Sequence, residues 1–467
     1  MNRGVFIKNG PMDWQIIQQV GGSADIRLVG SWDCSGETKE LKDKSVYARV
    51  VDEDTGGTVI PWTLCHPSGK NQWSVILAGV PAGGLYRVET CQYRDVPFGD
   101  VERVFEWYTR GDMIHHIGVG DLYVIAGQSN AVGYGKDPIS DPPELGVHLL
   151  RNSGKWDLAT HPLNESTNTA HEDNLESANP GHSPYINFAK IIKKAVGYPI
   201  GLVQTALGGT ALCLWNPGED GYLYRNMIKI IRSAGGRIKG VLWDQGSGDA
   251  VEGACDNYLE RFRHMVEYLR EELHDENVAV ITGQLHRYIA PSDELNDNRW
   301  GKIREAQRQA AMQIPNVYVV STTDCTLSDT IHYSSMFNMA LGERIAKTAL
   351  KNIYGKNIRW DAPNLAEAKK TGPNGLTLRF NNVYDRLYTF EATGKTISLF
   401  AEDEDGLINV EGYTIKAPDT ILLHLERDIR GRCVVHGAYQ QNPRELIPAD
   451  FETHLPILSF YGVEVLT

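Results

Sequence analysis

Three features of this chain have the residue types for acyl-transfer chemistry: a serine on a tight turn, a glycine pair, and an aspartate three residues before a histidine. The serine lies in Asp121–Gly133, DLYVIAGQSNAVG. Leu122–Ala126 is apolar and partly β-branched, so it reads as a buried strand that stops at Gly127. A small hydroxyl residue on a turn at the carboxyl end of such a strand is where an α/β sheet presents reactive groups. Ser129 is therefore the expected nucleophile toward a carbonyl carbon. His332 would take its proton and return it to the leaving alcohol, and Asp329 would hold the imidazole tautomer. The N–H groups of Ser129 and Gly209, with the Gln245 side-chain amide, would donate to the oxyanion.

Each piece also has an ordinary reading. Ser129-Asn130 could cap a helix, Gly208-Gly209-Thr210 could be a turn, and Trp243–Gly246 a surface loop. Asp329 and His332 could be locally hydrogen-bonded and nothing more. Their conjunction, each just past a strand, favours catalysis, because parallel strand ends share one edge.

The elements that must position them follow from periodicity. Residues 1–112 read as all-β, with short alternating runs such as Ser45–Val51 and Trp73–Leu77 between Gly, Pro and Asp clusters. From 113 to 356 strands alternate with helices, the mark of a parallel sheet. Strands are expected at Pro199–Ala206, Ile238–Trp243, Val278–Leu285 and Val317–Val320. Helices are expected from Ser183-Pro184, through Leu259–Leu273, over Lys302–Gln313, and from Ser334 or Ser335 to about Ile353. The polar stretch 135–182 is a long loop of the functional kind. Gly355 to about Gly375 reads as a linker or lead-in to the short strands of Leu376–Thr467, with the second β-domain bounded at 357–467. The fold class is thus α/β: a three-layer core with a parallel sheet, flanked by N- and C-terminal β-sandwich-like domains.

The chain has 467 residues, 42% hydrophobic and 22% charged, with a formal charge of −13. That charge argues against nucleic-acid partners, which need a basic face. No run approaches a membrane span, and the first residues lack the apolar core of a signal peptide. A cytoplasmic location is expected, with secretion after loss of a leader as the alternative. The cysteines (34, 65, 91, 213, 255, 325, 433) are odd in number and scattered, which suits reduced thiols better than disulfides or a zinc site. His115 and His116 would point to opposite faces of a strand, so no joint metal site is expected there. Nothing in the sequence fixes an oligomeric state.

Gly127-Gln128-Ser129-Asn130, Gly208-Gly209-Thr210, Trp243-Asp244-Gln245-Gly246 and Asp329-Thr330-Ile331-His332 resemble the four blocks of SGNH-type carbohydrate esterases. The sialate O-acetylesterase and acetylxylan-esterase branch is the nearest match. Leu223–Ile228, Arg304–Gln307, Val80–Leu85 and Tyr439–Pro443 also resemble that branch, so the likeness covers nearly the whole chain. It implies an SGNH core and removal of O-acetyl groups from sugars through an acetyl-serine, with no metal and no cofactor. Two departures stand out. Ser247 occupies the place of the family's glutamate, so that carboxylate's hydrogen bond must be lost or supplied elsewhere, with Asp249 as one source. Thr330 excludes the nearer of the two positions at which the branch carries its acid, which points to Asp329.

The expected substrate is an acetylated oligosaccharide or polysaccharide, toward neutral xylan, xyloglucan or mannan fragments given the acidic charge. O-acetyl sialate is the alternative, for which Arg287 or Arg304 would meet the carboxylate. Gln128, Asn130, His286, Arg287 and Arg304 are candidate substrate contacts, and Trp215 a candidate sugar-stacking surface. A GDSL-like lipase and a non-catalytic sugar binder on the same fold are the rivals.

Overall fold

The computed structural model describes residues 4–33, 45–97 and 104–467. Cys34 lies outside them. At its centre is a mixed α/β arrangement built on a large sheet. Six parallel strands run in the order Val147–Leu150, Ile200–Gln204, Val104–Gly127, Gly240–Asp244, Ala279–Gly283 and Val317–Val320. Trp156–Leu158 adds an antiparallel edge. The chain starts at the central strand, winds to one side, then crosses back to build the other. Strand order therefore reverses beside Val104–Gly127, where the two neighbouring connections leave in opposite directions and open a crevice at the carboxyl ends.

Alternation along the central strand explains its burial. Leu122, Val124 and Ala126 enter one apolar cluster, Tyr123 and Ile125 the other. Helices α3 (Tyr222–Ser233), α4 (Tyr258–Leu273) and α5 (Glu294–Gln313) cover the first face. Helices α2 (Tyr185–Val196) and α6 (Ser335–Asn352) cover the second. A strand buried on both faces is a near-continuous hydrophobic run, which is why this one was legible.

Several expectations shift. Ser183 does not cap α2, which begins at Tyr185, and the Ser183 hydroxyl is buried without a partner. Ser334, not Ser335, caps α6, accepting from the Phe337 N–H at 3.1 Å. Helix α5 starts eight residues before Lys302, where Asp293 caps it by accepting from the Asn296 N–H at 2.8 Å. Asn364–Lys370 is not linker but an edge strand pairing antiparallel with Gly375–Asn381.

Val104–Gly127 runs unbroken through position 112. Its first part pairs with Gly83–Pro97, and the same sheet takes in Val46–Asp52 and Thr58–Leu64. A four-stranded sheet of Gly4–Asn9, Ser23–Asp33, Gln72–Pro81 and His66–Gly69 closes over them around Val5, Leu28, Val50, Trp73 and Val88. After residue 363, a five-stranded and a four-stranded sheet share a third core that includes Leu378, Phe380, Leu423 and Phe460.

His115 and His116 correct the alternation argument. His116 has φ +57°, which breaks the strand's period, and both rings reach the Glu53 carboxylate, at 3.4 and 2.7 Å. The described cysteines are free thiols. Among the described residues no helix is long and apolar enough to cross a membrane.

Candidate active site

Gly127 ends the central strand at φ +124°, and a Cβ there would lie 2.1 Å from the Asp244 carbonyl oxygen. Only glycine fits, so the turn into Ser129 is forced by close approach of the neighbouring strand. Ser129 opens the one-turn helix α1 (Ser129–Val132), whose first amides have no intrahelical acceptor. On the facing loop, Asp329 Oδ2 lies 2.6 Å from His332 Nδ1. Asp329 Oδ1 accepts the N–H groups of Ile331 and His332, both at 2.8 Å. Burial works to raise the Asp329 carboxyl, but those N–H groups and the imidazole hold it below the ordinary carboxylate range. The pair is thus pre-formed, with Nε2 left for another partner. Tyr134 stacks on the imidazole, centroids 4.6 Å apart and planes 22° apart.

Ser129 and His332 line one cleft of about 480 Å³, shared with Tyr134, Glu176, Gly209, Ser247, Tyr288 and Trp300. Among the described residues no hydrogen bond joins Ser129 Oγ to the imidazole, although both line this cleft. Asn130 ties the two loops together. Its Oδ1 accepts the Tyr333 N–H at 3.1 Å, one residue past the histidine. The N–H groups of Ser129 and Gly209 have no protein acceptor among the described residues, and Gly209 holds φ +70°.

The sequence model of the family described as carbohydrate esterase, sialic acid-specific acetylesterase, matches residues 119–351. A protein of Arabidopsis thaliana named "probable carbohydrate esterase" is 30% identical over 255 residues, which is 50% of this chain and 91% of that one. The chain belongs to this carbohydrate esterase family. It is a serine ester hydrolase, an acetylesterase of carbohydrates. The fold is also that of a carbohydrate acetylesterase from Xanthomonas citri, with a TM-score of 0.64 at 19% identity, covering 97% of this chain and 99% of the other.

Within the esterase, several expected contacts are engaged elsewhere. Gln245 is 1% exposed; its amide donates to the Thr210 carbonyl (3.1 Å) and Asp249 Oδ2 (2.6 Å), and its Oε1 accepts from the Tyr258 hydroxyl. It has no free donor for an oxyanion. Gln128 and Asn130 are likewise internal. Gln128 Oε1 accepts the N–H groups of Gly246 and Gly248 at 3.1 and 3.3 Å, and its amide donates to Ser247 Oγ. Ser247, at the place of the family's glutamate, thus accepts from the Gln128 amide. Asp249 faces Gln245, the Leu212 N–H and Arg261.

Trp215 is fully buried, donating to Thr210 Oγ1 and packed edge-on against Trp243, so it stacks on no sugar. Arg304 is also fully buried, and its guanidinium binds the carbonyls of Leu285, His286, Ala438 and Tyr439 at 2.7 to 3.1 Å. Burial lowers it to about 9. It joins α5 to the C-terminal sheets and meets no substrate. Arg287 is held by Asn442 Oδ1 and the Pro443 carbonyl. His286 lies behind the site, its ring nitrogens 3.2 Å from Asn130 Nδ2, and burial pushes it down to about 3, so it is neutral.

The sequence reading missed Glu176 and Tyr134. Glu176 comes from the 135–182 loop, and its carboxylate accepts the N–H groups of Gly208 (2.8 Å) and Ala178 (3.1 Å). Burial first, and then the nearby Glu176 carboxylate, push the Tyr134 phenol up and keep it protonated. The only signal for either was the length of the loop. Tyr288, stacked on Trp300 at 5.8 Å, supplies the aromatic wall expected of Trp215.

Proposed function

We propose that this esterase removes O-acetyl groups from neutral, hemicellulose-derived oligosaccharides of the xylan, xyloglucan or mannan kind. Ser129 Oγ attacks the acetyl carbonyl as His332 Nε2 takes its proton, and Asp329 stabilises the imidazolium. The Ser129 and Gly209 N–H groups hold the oxyanion without Gln245. His332 then protonates the leaving sugar hydroxyl, and a water deprotonated by the same imidazole releases acetate from the acetyl-serine. We read the core as SGNH-type, spanning 113–356, with the sheets of 1–112 and 357–467 as β-sandwich domains that frame the cleft.

One observation carries the choice of a neutral sugar. Among the described residues the cleft lining holds no lysine or arginine, and Glu176 is its one carboxylate. Arg287 and Arg304 are bound to backbone and to Asn442, and Lys136 lies outside the lining, over the Tyr134 ring at 5.5 Å. A sialate carboxylate would enter beside a like charge with no cation to pair it. Tyr288 and Trp300 offer an apolar face of the kind a pyranose covers.

The test is acetate release from acetylated xylan, xyloglucan and mannan oligosaccharides against O-acetyl sialate, for wild type and Glu176→Gln. Neutral substrates should be favoured at least tenfold in kcat/KM, and Glu176→Gln should narrow the gap. Preference for sialate by the wild type would overturn the proposal.

A further inference from the structure

Away from the cleft, a second group of side chains converges on one point. Asp141, His161 and His182 come from the beginning, middle and end of the polar stretch that follows the nucleophile turn. His161 Nε2 lies 2.9 Å and His182 Nε2 3.3 Å from the same atom, Asp141 Oδ2. The three donor atoms are all within 4.8 Å of one another. The imidazoles sit 4.2 Å apart, centre to centre. Neither ring's Nδ1 meets a protein group, so the polar engagement of both rings is confined to the shared point. The Asp141 side chain is 2% exposed and that of His182 7%. Lys190, on α2, donates to the other carboxylate oxygen at 2.6 Å.

We propose that Asp141, His161 and His182 form a structural site for a divalent transition ion of the Zn2+ class. Two imidazole nitrogens and one carboxylate oxygen are a common zinc donor set, at about 2.0–2.2 Å from the ion, which places neighbouring donors about 3.3 Å apart. The two separations from Asp141 Oδ2, 2.9 and 3.3 Å, lie within a few tenths of an ångström of that spacing, and the two imidazole nitrogens lie within 4.8 Å of each other. A fourth position remains for water. Lys190 keeps Oδ1 oriented, in the way that partners of a ligating carboxylate do, while adding a positive charge that weakens binding. The site is remote from Ser129 Oγ in role: it supplies no step of the ester hydrolysis. Its effect is on chain order. Residues 135–182 are not the single long loop expected: Val147–Leu150 and Trp156–Leu158 are sheet strands, and one ion would fasten together the irregular segments that flank them. The clamp would act next to the bridge between Gly135 and His182, whose backbone bonds at 2.9 and 3.1 Å adjoin Tyr134. It would thereby steady the loop that carries Glu176.

The experiment is a zinc titration of the full chain after chelator treatment, read by bound metal per chain and by Tm. Wild type should take up one equivalent of Zn2+ and gain several degrees, as binding to the folded state alone requires. His161→Ala and Asp141→Asn should lose both responses, with circular dichroism confirming that they fold. Lys190→Met should keep or tighten uptake, because it removes a competing charge. If the cluster is only an ion-pair network, Lys190→Met loses stability and gains no zinc. Uptake below a tenth of an equivalent at tenfold excess, or an equal Tm shift in His161→Ala, would overturn the proposal.

Discussion

Asp244–Asp249 and Asp329–His332 both follow strands of the parallel sheet, both carry acids, and both reach the edge where Ser129 sits. In the first segment Gln245 and Asp249 turn inward. Gln245 is enclosed by Thr210, Asp249 and Tyr258, and Asp249 by Arg261 and the Leu212 N–H, while Ser247 accepts from Gln128 at the border of the cleft. In the second the acid holds only its own loop and the imidazole, leaving Nε2 toward the cleft. Residue type was equally suggestive in both. What separates them is whether hydrogen-bonding capacity remains after the fold has satisfied its own buried groups.

The most severe way to break the contrast is through the outward segment and its nucleophile. Ser129→Ala or His332→Ala should lower kcat for acetate release by roughly 10⁴-fold or more at unchanged Tm, and Asp329→Asn by on the order of 10³–10⁴. A Tm loss with kcat retained would reverse the roles assigned to the two segments. The inward segment predicts the opposite signature. Gln245→Leu should cost roughly 2–4 kcal/mol of stability by removing one buried hydrogen bond each from the Thr210 carbonyl, Asp249 and the Tyr258 hydroxyl, with kcat of the folded enzyme within about fivefold. A drop of about 10²-fold in kcat at constant Tm would restore Gln245 as an oxyanion donor.

The smallest effect sharpens the comparison through pH. Asp244 is fully buried, and burial pushes its carboxyl up from 3.8 to about 7, partly offset by the Tyr333 hydroxyl. The folded state therefore holds a proton that the unfolded chain releases between those values. Its contribution to stability is complete below about 4 and is lost as pH rises toward 7. Thermal melts from pH 5 to 8 should show wild type declining by a few degrees relative to Asp244→Asn. Parallel curves would mean that the carboxyl is ionised in the folded protein.

The core and the reactive turn were legible because they rest on local or periodic signals. Leu122–Ala126 is buried on both faces, and Gly127 marks the strand end by the absence of a side chain. Asp329 and His332 are three residues apart, so their contact is a local matter. Other features depend on partners distant in sequence. Asn364–Lys370 lies in the stretch read as linker, yet edge pairing with Gly375–Asn381 makes it a strand. Trp215 and Trp300 are both tryptophans near the reactive edge, and only packing decides that Trp215 is core while Trp300 borders the cleft. Glu176 enters the cleft through an irregular loop, which has no period to read.

The 24 residues of Val104–Gly127 form one continuous spar, about 80 Å if fully extended, from the front sheet to the edge of Ser129. Ile16–Gln18 is laced to it by parallel pairing at Gly118–Gly120. A cut at the nominal boundary would sever a girder instead of releasing a module. The front sheets and the turn at Ser129 are thus built on one strand, and the two regions do not part at residue 112.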